Sequence, residues 1–344
     1  MRRPLRTHSH RAAAAVALAC VLTAVSQQGA RADPQTLTEV QDKLESLYHQ
    51  AEVATDKYDA ADVKVKAQQS RVASLNSRVR TAEGKLTRLN SYAGAAARAQ
   101  YRGGGMPAEL QFALAGDPEQ ALNNGVVALQ AQQKTQNLVT DLKTTKSVLR
   151  RRTDEAAAEL KRLRASRRTM ATQRTTIERH ITEAKALESS LAAKERARLA
   201  DLEKQRSEQA QAEWERTGIL KKIGTEATPA GKKAIAFASR QIGKPYVWGA
   251  EGPDSYDCSG LTSQAWLAAG VTIPRTSEMQ WAQLKHIPIV DMRPGDLIIY
   301  FSDASHVAIY VGRGNIISAP RPGRYVYESP AASMRILGVV RPDA

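Results

Sequence analysis

The sequence predicts an α+β chain, in which a long all-α hairpin precedes a smaller domain built from a helix packed on an antiparallel sheet. Three observations lead there. Ten of the fourteen prolines fall from Pro229 to Pro342, and none lies between Pro34 and Pro107 or between Pro118 and Pro229. Eleven of the 17 aromatic residues follow residue 222. From Gly295 onward, short strand-like runs alternate with glycine or proline. Proline-free, aromatic-poor stretches suit extended helices, because proline removes a backbone donor and clashes with the preceding turn.

The chain begins with Arg2, Arg3, Arg6 and Arg11, then an apolar run from Ala12 to Val25, then Ala30-Arg31-Ala32. This is the pattern of a secretory signal over residues 1–32, and the apolar run is shorter than the roughly 20 residues that span a bilayer. Its removal takes away five basic and no acidic residues, lowering the net charge from +15 to +10. A secreted protein is the expectation.

Residues 33–222 then read as a helical hairpin. Leu37, Leu44, Ala51, Tyr58, Val65, Val72, Val79, Leu86 and Ala93 recur every seven residues, each followed three places later by a second seam position from Val40 to Ala96. Gln68 is the polar exception, and the period specifies a left-handed coiled coil. A second column runs Leu142, Leu149, Ala156, Leu163, Met170, Ile177, Ala184 and Leu191, with Arg167, Arg174 and Glu188 expected in its partner column. Glycines 103–105 and Pro107 stop the first helix, and Asp117-Pro118 reads as an N-cap followed by proline at N1 of the next. The tip near 103–118 carries the apolar Leu110–Leu114, which is either a helical cap over the hairpin end or a docking surface. From Lys143 to Arg179, twelve Lys/Arg meet four Asp/Glu. That face is either simply solvated or drawn to an anionic surface, lipid headgroups or teichoic-acid-like polymers.

Residues 223–230 form a short linker, and 231–344 the second domain. A helix is expected over Lys232–Gln241. A loop follows through Tyr246, then a helix from Ser259 to Ala269 that places Cys258 at its N-terminus, where the dipole and free N–H groups favour a thiolate. Strands are expected at Asp296–Phe301, His306–Val311, Asn315–Ala319, Arg324–Glu328 and Ile336–Val340. A helix bearing cysteine, packed on a sheet bearing histidine, is the arrangement that a thiol nucleophile and its base require. Cys20 lies in the leader, so Cys258 is the one cysteine of the processed chain. The two cysteines rule out a disulfide framework and a zinc-finger-type DNA binder. No metal constellation or cofactor motif is visible, and no nucleic-acid reader motif accompanies the basic charge.

Pro245-Tyr246-Val247-Trp248-Gly249, Asp257-Cys258-Ser259-Gly260, Pro274-Arg275-Thr276-Ser277, Pro294-Gly295-Asp296-Leu297 and Ser305-His306-Val307-Ala308-Ile309-Tyr310-Val311-Gly312 occur in this order. Together they resemble the NlpC/p60 family of papain-like cell-wall cysteine peptidases, over about Pro229 to Pro342. The hairpin looks like the coiled-coil regulatory region of some secreted members. The resemblance implies a peptidoglycan endopeptidase cutting stem peptides, commonly between D-isoglutamate and the diamino acid, for wall remodelling or daughter-cell separation. It implies no cofactor and no metal. Cys258 would be the nucleophile, His306 its base and later acid, and Tyr246 a supporting donor. Asp257 and Ser259 would hold the stem's amino end, although Asp257 also suits a plain N-cap. At the third position, usually His, Glu, Asn or Gln, this chain has Ser318. A short neutral serine leaves open an alternative, a catalytically weak wall-peptide-binding adaptor that recruits or activates other hydrolases. A membrane-bound division or wall-remodelling partner is the expected contact of the arm, which the short linker keeps close enough to Cys258 to restrict access.

Overall fold

The computed structural model describes residues 36–102 and 117–344. The leader, residues 1–32, and the apolar tip segment Leu110–Leu114 lie outside the described residues. Helix α1 spans Leu37–Arg102, 66 residues and hence about 100 Å. Helix α2 spans Pro118–Ser190, with Asp117 accepting from Glu119 N–H as its N-cap and proline in its first turn. The two run antiparallel: Tyr48 donates to Glu188 at 3.0 Å, while Ala60 and Ala61 share a wall with Ala165 and Thr169.

On α1 the seven-residue columns face α2, and Leu44, Ala51 and Val65 from one with Val40, Leu47, Ala54 and Ala61 from the other are buried. On α2 the partner column differs from the expectation. Arg167 and Arg174 are exposed and Glu188 is half-buried, while Thr145, Glu159 and His180 are buried. The apolar column holds the a positions of α2, so its seam partners at d lie three residues on, as Thr145, Glu159 and His180 do, and the residues four on fall at the flanking e positions. Nor is the arm a simple hairpin. The chain breaks at Leu191–Ala192 and returns as a third helix, α3, Ala193–Arg216, which Arg206 ties to Asp42 of α1 at 2.9 Å.

The C-terminal domain holds helices α4 (Pro229–Ser239), α5 (Cys258–Ala268) and α6 (Ser277–Gln283). It also holds strands β1 (Lys285–Ile287), β2 (Leu297–Tyr300), β3 (His306–Gly312), β4 (Asn315–Ser318), β5 (Tyr327–Pro330) and β6 (Ile336–Arg341). The sheet order is β1-β6-β2-β3-β4-β5, antiparallel throughout. Every residue of β2 is buried, because both sheet faces are covered. Leu297, Ile299, Val307 and Ile309 pack with α4 and α5, notably Trp266. Ile298, Tyr300, Ala308 and Tyr310 pack with Ile219, Ile223 and Trp214. The expected linker is therefore part of the second core, and Gly224 N–H donates to Met292 O at 2.7 Å.

Candidate active site

Cys258 is the first residue of α5, and Asp257 is the N-cap, accepting from Gly260 N–H at 2.6 Å. A side chain at Gly260 would run into the Ala250 carbonyl, so the tight approach of the preceding loop explains this glycine. The other face of α5 buries Leu261, Ala265 and Trp266, which pins the helix on the sheet. His306 opens β3, fully buried beside the Tyr300 ring at 5.9 Å between centroids. The Val307 backbone lies near enough to the Cys258 sulfur to lower the thiol's pKa, which brings the thiol to the residue after His306. Tyr246 is buried in the same cluster. Burial, then the charge of Cys258, then that of Glu52 raise its pKa, so its hydroxyl stays a donor.

Ser318 ends β4, and continuing the β3–β4 register sets it across from Ala308, diagonal to His306 on one face. Ser318 Oγ and His306 Nε2 are both buried without a hydrogen-bond partner among the described residues. The structure thus brings the third-position serine to the histidine's neighbourhood but not into contact. A hydroxyl on one carbon is too short for a diagonal spacing of about 7–8 Å.

Asp257 and Ser259 are buried and engaged internally. Arg275 donates to both Asp257 oxygens, at 3.1 and 2.7 Å, and to Ser259 Oγ at 2.9 Å. Asp257 here has the structural job of a cap and an arginine partner, and neither residue faces an open cleft as the amino-end assignment requires. Arg275 in turn lies 3.4 Å from Asp59 and 3.2 Å from Glu251.

The cleft itself is occupied by α1. Glu52 Oε1 lies 2.9 Å from His306 Nδ1. Four residues on, Asp56 accepts from Ser277 Oγ at 2.6 Å and from Glu278 N–H at 3.2 Å. Three further on, Asp59 reaches Arg275. Spacings of four and seven set the three acids on one face of the helix. His49 extends the contact to Asp303 at 3.1 Å, and Tyr58 meets Trp248 edge-on at 5.1 Å between centroids. Burial pushes Asp56 up to about 8, against the pull of its two donors. Burial, with the Asp257 charge, also raises Asp59. Burial first, then Asp257, Glu52 and Asp56, hold Cys258 well above the usual thiol range. In this arrangement the sulfur is buried beneath α1's contacts and its surroundings favour the thiol over the thiolate.

Sequence reasoning passed over Glu52, Asp56 and Asp59, because acids beside a heptad seam read as solvated. Their signal was local: three carboxylates on one helical face in a basic chain.

Residues 243–335 match the NlpC/P60 family. The C-terminal domain is an NlpC/P60 domain. A probable endopeptidase of Corynebacterium glutamicum is 45% identical over 104 residues, covering 29% of this chain and 50% of that protein. The probable endopeptidase p60 of Listeria seeligeri is 44% identical over 91 residues, 26% of this chain and 17% of its own length. The solved peptidoglycan hydrolase RipB of Mycobacterium tuberculosis is 34% identical, covering 33% of this chain and 64% of that one, with a TM-score of 0.30. The chain spans half or less of the length of these two curated relatives, and the matched region is the NlpC/P60 domain rather than the helical arm.

Proposed function

We propose that this chain is a secreted cysteine endopeptidase of peptidoglycan stem peptides, held inactive by its own helix α1. The observation that carries the reading is the Glu52–His306 contact beside the buried Cys258. An arm residue engages the ring nitrogen that a thiol nucleophile would need. With α1 displaced, His306 takes the Cys258 proton and the thiolate attacks the scissile carbonyl. The Cys258 backbone N–H and the Tyr246 hydroxyl are the donors available to the developing oxyanion. His306 then protonates the leaving amine, and water, deprotonated by His306, releases the acyl group and restores the thiol. Asp56 and Asp59 place carboxylates against Ser277, the Glu278 N–H and Arg275, groups that a displaced α1 would free for an anionic stem, and the bond cut on this reading is the D-isoglutamyl–diamino acid bond. The relatives described as probable endopeptidases support peptide-bond cleavage.

The unpartnered His306 Nε2 and Ser318 Oγ favour one second reading, a weak catalyst that binds wall peptide and recruits other hydrolases. Digestion of defined muropeptides by the full chain and by a Glu52→Ala, Asp56→Ala, Asp59→Ala variant, read by mass spectrometry, separates them. Stem cleavage that rises in the variant and vanishes with Cys258→Ala supports the endopeptidase. Binding without cleavage in every form supports the adaptor.

A further inference from the structure

The twelve basic residues between Lys143 and Arg179 are not spread evenly around α2. Lys143, Lys146 and Arg150 are repeated 18 residues later as Lys161, Arg164 and Arg168, and Arg179 follows 18 residues after Lys161. Eighteen residues are five helical turns, so the two triads superpose in angle and lie about 27 Å apart along the helix. At 3.6 residues per turn all seven cations fall within a sector of about 60°, over a length of about 54 Å. That sector lies opposite the α1-facing side, which carries the buried Thr145, Glu159, Leu163 and Ile177. All seven residues are exposed.

A merely solvated helix face mixes charges of both signs at spacings of three and four. Arg162 and Arg174, off the stripe, follow that habit, pairing with Glu159 and Glu178. On the stripe, none of the six triad cations makes an ion pair among the described residues, and Arg179 only approaches Glu183 at 4.0 Å. Asp154 and Glu183 are the acids at its margin. Like charges at spacings of three and four repel, so their retention costs helix stability unless an anion lies along them. Between the triads the sector carries Ala157, and there is no aromatic side chain on the stripe. A helix that beds into a bilayer carries Trp, Phe or Leu for the acyl boundary. A narrow, straight line of cations without bulky apolar side chains suits a linear polyanion better.

We propose that this stripe of α2 is a binding rail for a linear anionic polymer of phosphate-bearing repeats. The polymer lies along the outer face of the arm, and the NlpC/P60 domain sits to one side, where Glu278 approaches Ala165 and Thr169. The rail is independent of the peptidase chemistry, and it would retain the protein on phosphate-rich wall polymer whether the cleft is open or closed.

The test uses the full chain, long-chain inorganic polyphosphate as probe, and binding measured over a series of salt concentrations. One variant replaces Lys143, Lys146, Arg150, Lys161, Arg164 and Arg168 by Gln. A control of equal net charge replaces Arg78, Arg80, Arg151, Arg162, Arg167 and Arg174 by Gln. The wild type should show a log–log salt slope of about −4 or steeper, as six neutralised charges on a flexible polyanion require. The rail variant should bind at least tenfold more weakly at moderate salt, and the control should stay within about threefold. Replacing only Lys161, Arg164 and Arg168 should roughly halve the slope, which keeps the test alive if the sixfold variant loses helicity. Equal loss in rail variant and control overturns the proposal, because net charge would then suffice. So does absence of wild-type binding, and so does tighter binding to phosphatidylglycerol vesicles than to the polymer.

Discussion

Glu52 of α1 and His306 of β3, 254 residues apart in sequence, are joined at 2.9 Å inside the cleft. The base of the thiol pair is thereby engaged by the arm before any substrate arrives. Glu52→Ala in the full chain should speed alkylation of Cys258 by iodoacetamide on the order of tenfold to a hundredfold, the scale of one charge-assisted buried hydrogen bond. An unchanged labelling rate would show that α1 does not guard the thiol.

Acidity should keep the cleft shut. Glu52 meets His306, while Asp59, Glu251 and Asp257 meet Arg275 and Asp56 rests on Ser277 and the Glu278 N–H, so closure gathers more negative than positive charge and favours proton uptake. Asp56 is raised to about 8 when closed, whereas a carboxyl on a displaced α1 would titrate near about 4. Closure is therefore fully supported below the lower value and loses that support as pH rises through about 8. The ratio of alkylation rates, wild type over the Glu52→Ala variant, should climb between neutral pH and pH 9. Asp56→Asn should flatten the climb. A ratio that falls with pH contradicts the sign.

Cys258→Ala should abolish stem cleavage while leaving the fold intact, since the side chain is small and the α5 cap rests on Asp257. Thermal melting followed by circular dichroism should shift by no more than about 5 °C, the scale of a ~1 kcal/mol change in a domain this size. Residual turnover in the purified variant would remove Cys258 from the mechanism.

Arg275→Lys should be as damaging as most core lesions. The guanidinium reaches both oxygens of a fully buried carboxylate and Ser259 as well, a fork that a point ammonium does not reproduce. Removing one partner of such a buried pair costs about 3–5 kcal/mol, and the lysine variant should lose a sizeable part of that, measurable by urea unfolding. Stability within the error of wild type would mean that the cluster is not buried as described.

Ser318→Ala should change kcat by less than about threefold, because Ser318 Oγ has no partner to lose. Ser318→Asn, with a longer acceptor, should raise it if His306 Nε2 lacks an orienting group. A tenfold loss in Ser318→Ala would instead assign the serine a catalytic contact.

Much of this was legible because the signals were local or periodic. Proline placement separated arm from domain, and the heptads of α1 named its buried face down to Ala82. Cys258 and His306 stood in motifs whose spacing fixes them at a helix start and a strand start. The break at Leu191–Ala192 carries neither glycine nor proline, so nothing in the pattern marks α3 as a separate helix. Strand β1 and helix α6 are too short for a period to show. The acids of α1 were legible only as charge, since Ser277, Arg275 and His306 lie more than two hundred residues away and a contact at that range leaves no trace in spacing.

Arg321, in the loop after β4, stacks on the Tyr48 ring at 4.1 Å and pairs with Glu188 at 3.3 Å and Glu203 at 2.8 Å, gripping one helix of the arm by each. Mechanically this makes a fulcrum. From Tyr48 to Arg102 α1 extends about 80 Å, whereas Glu52 to Asp59 lie only about 6–16 Å from the same point. A sideways force applied at the distal end is multiplied roughly sevenfold where the acids meet the cleft. A weak tug far from the chemistry would then suffice to prise open a buried charge cluster, and shortening the helices should raise the force needed in proportion.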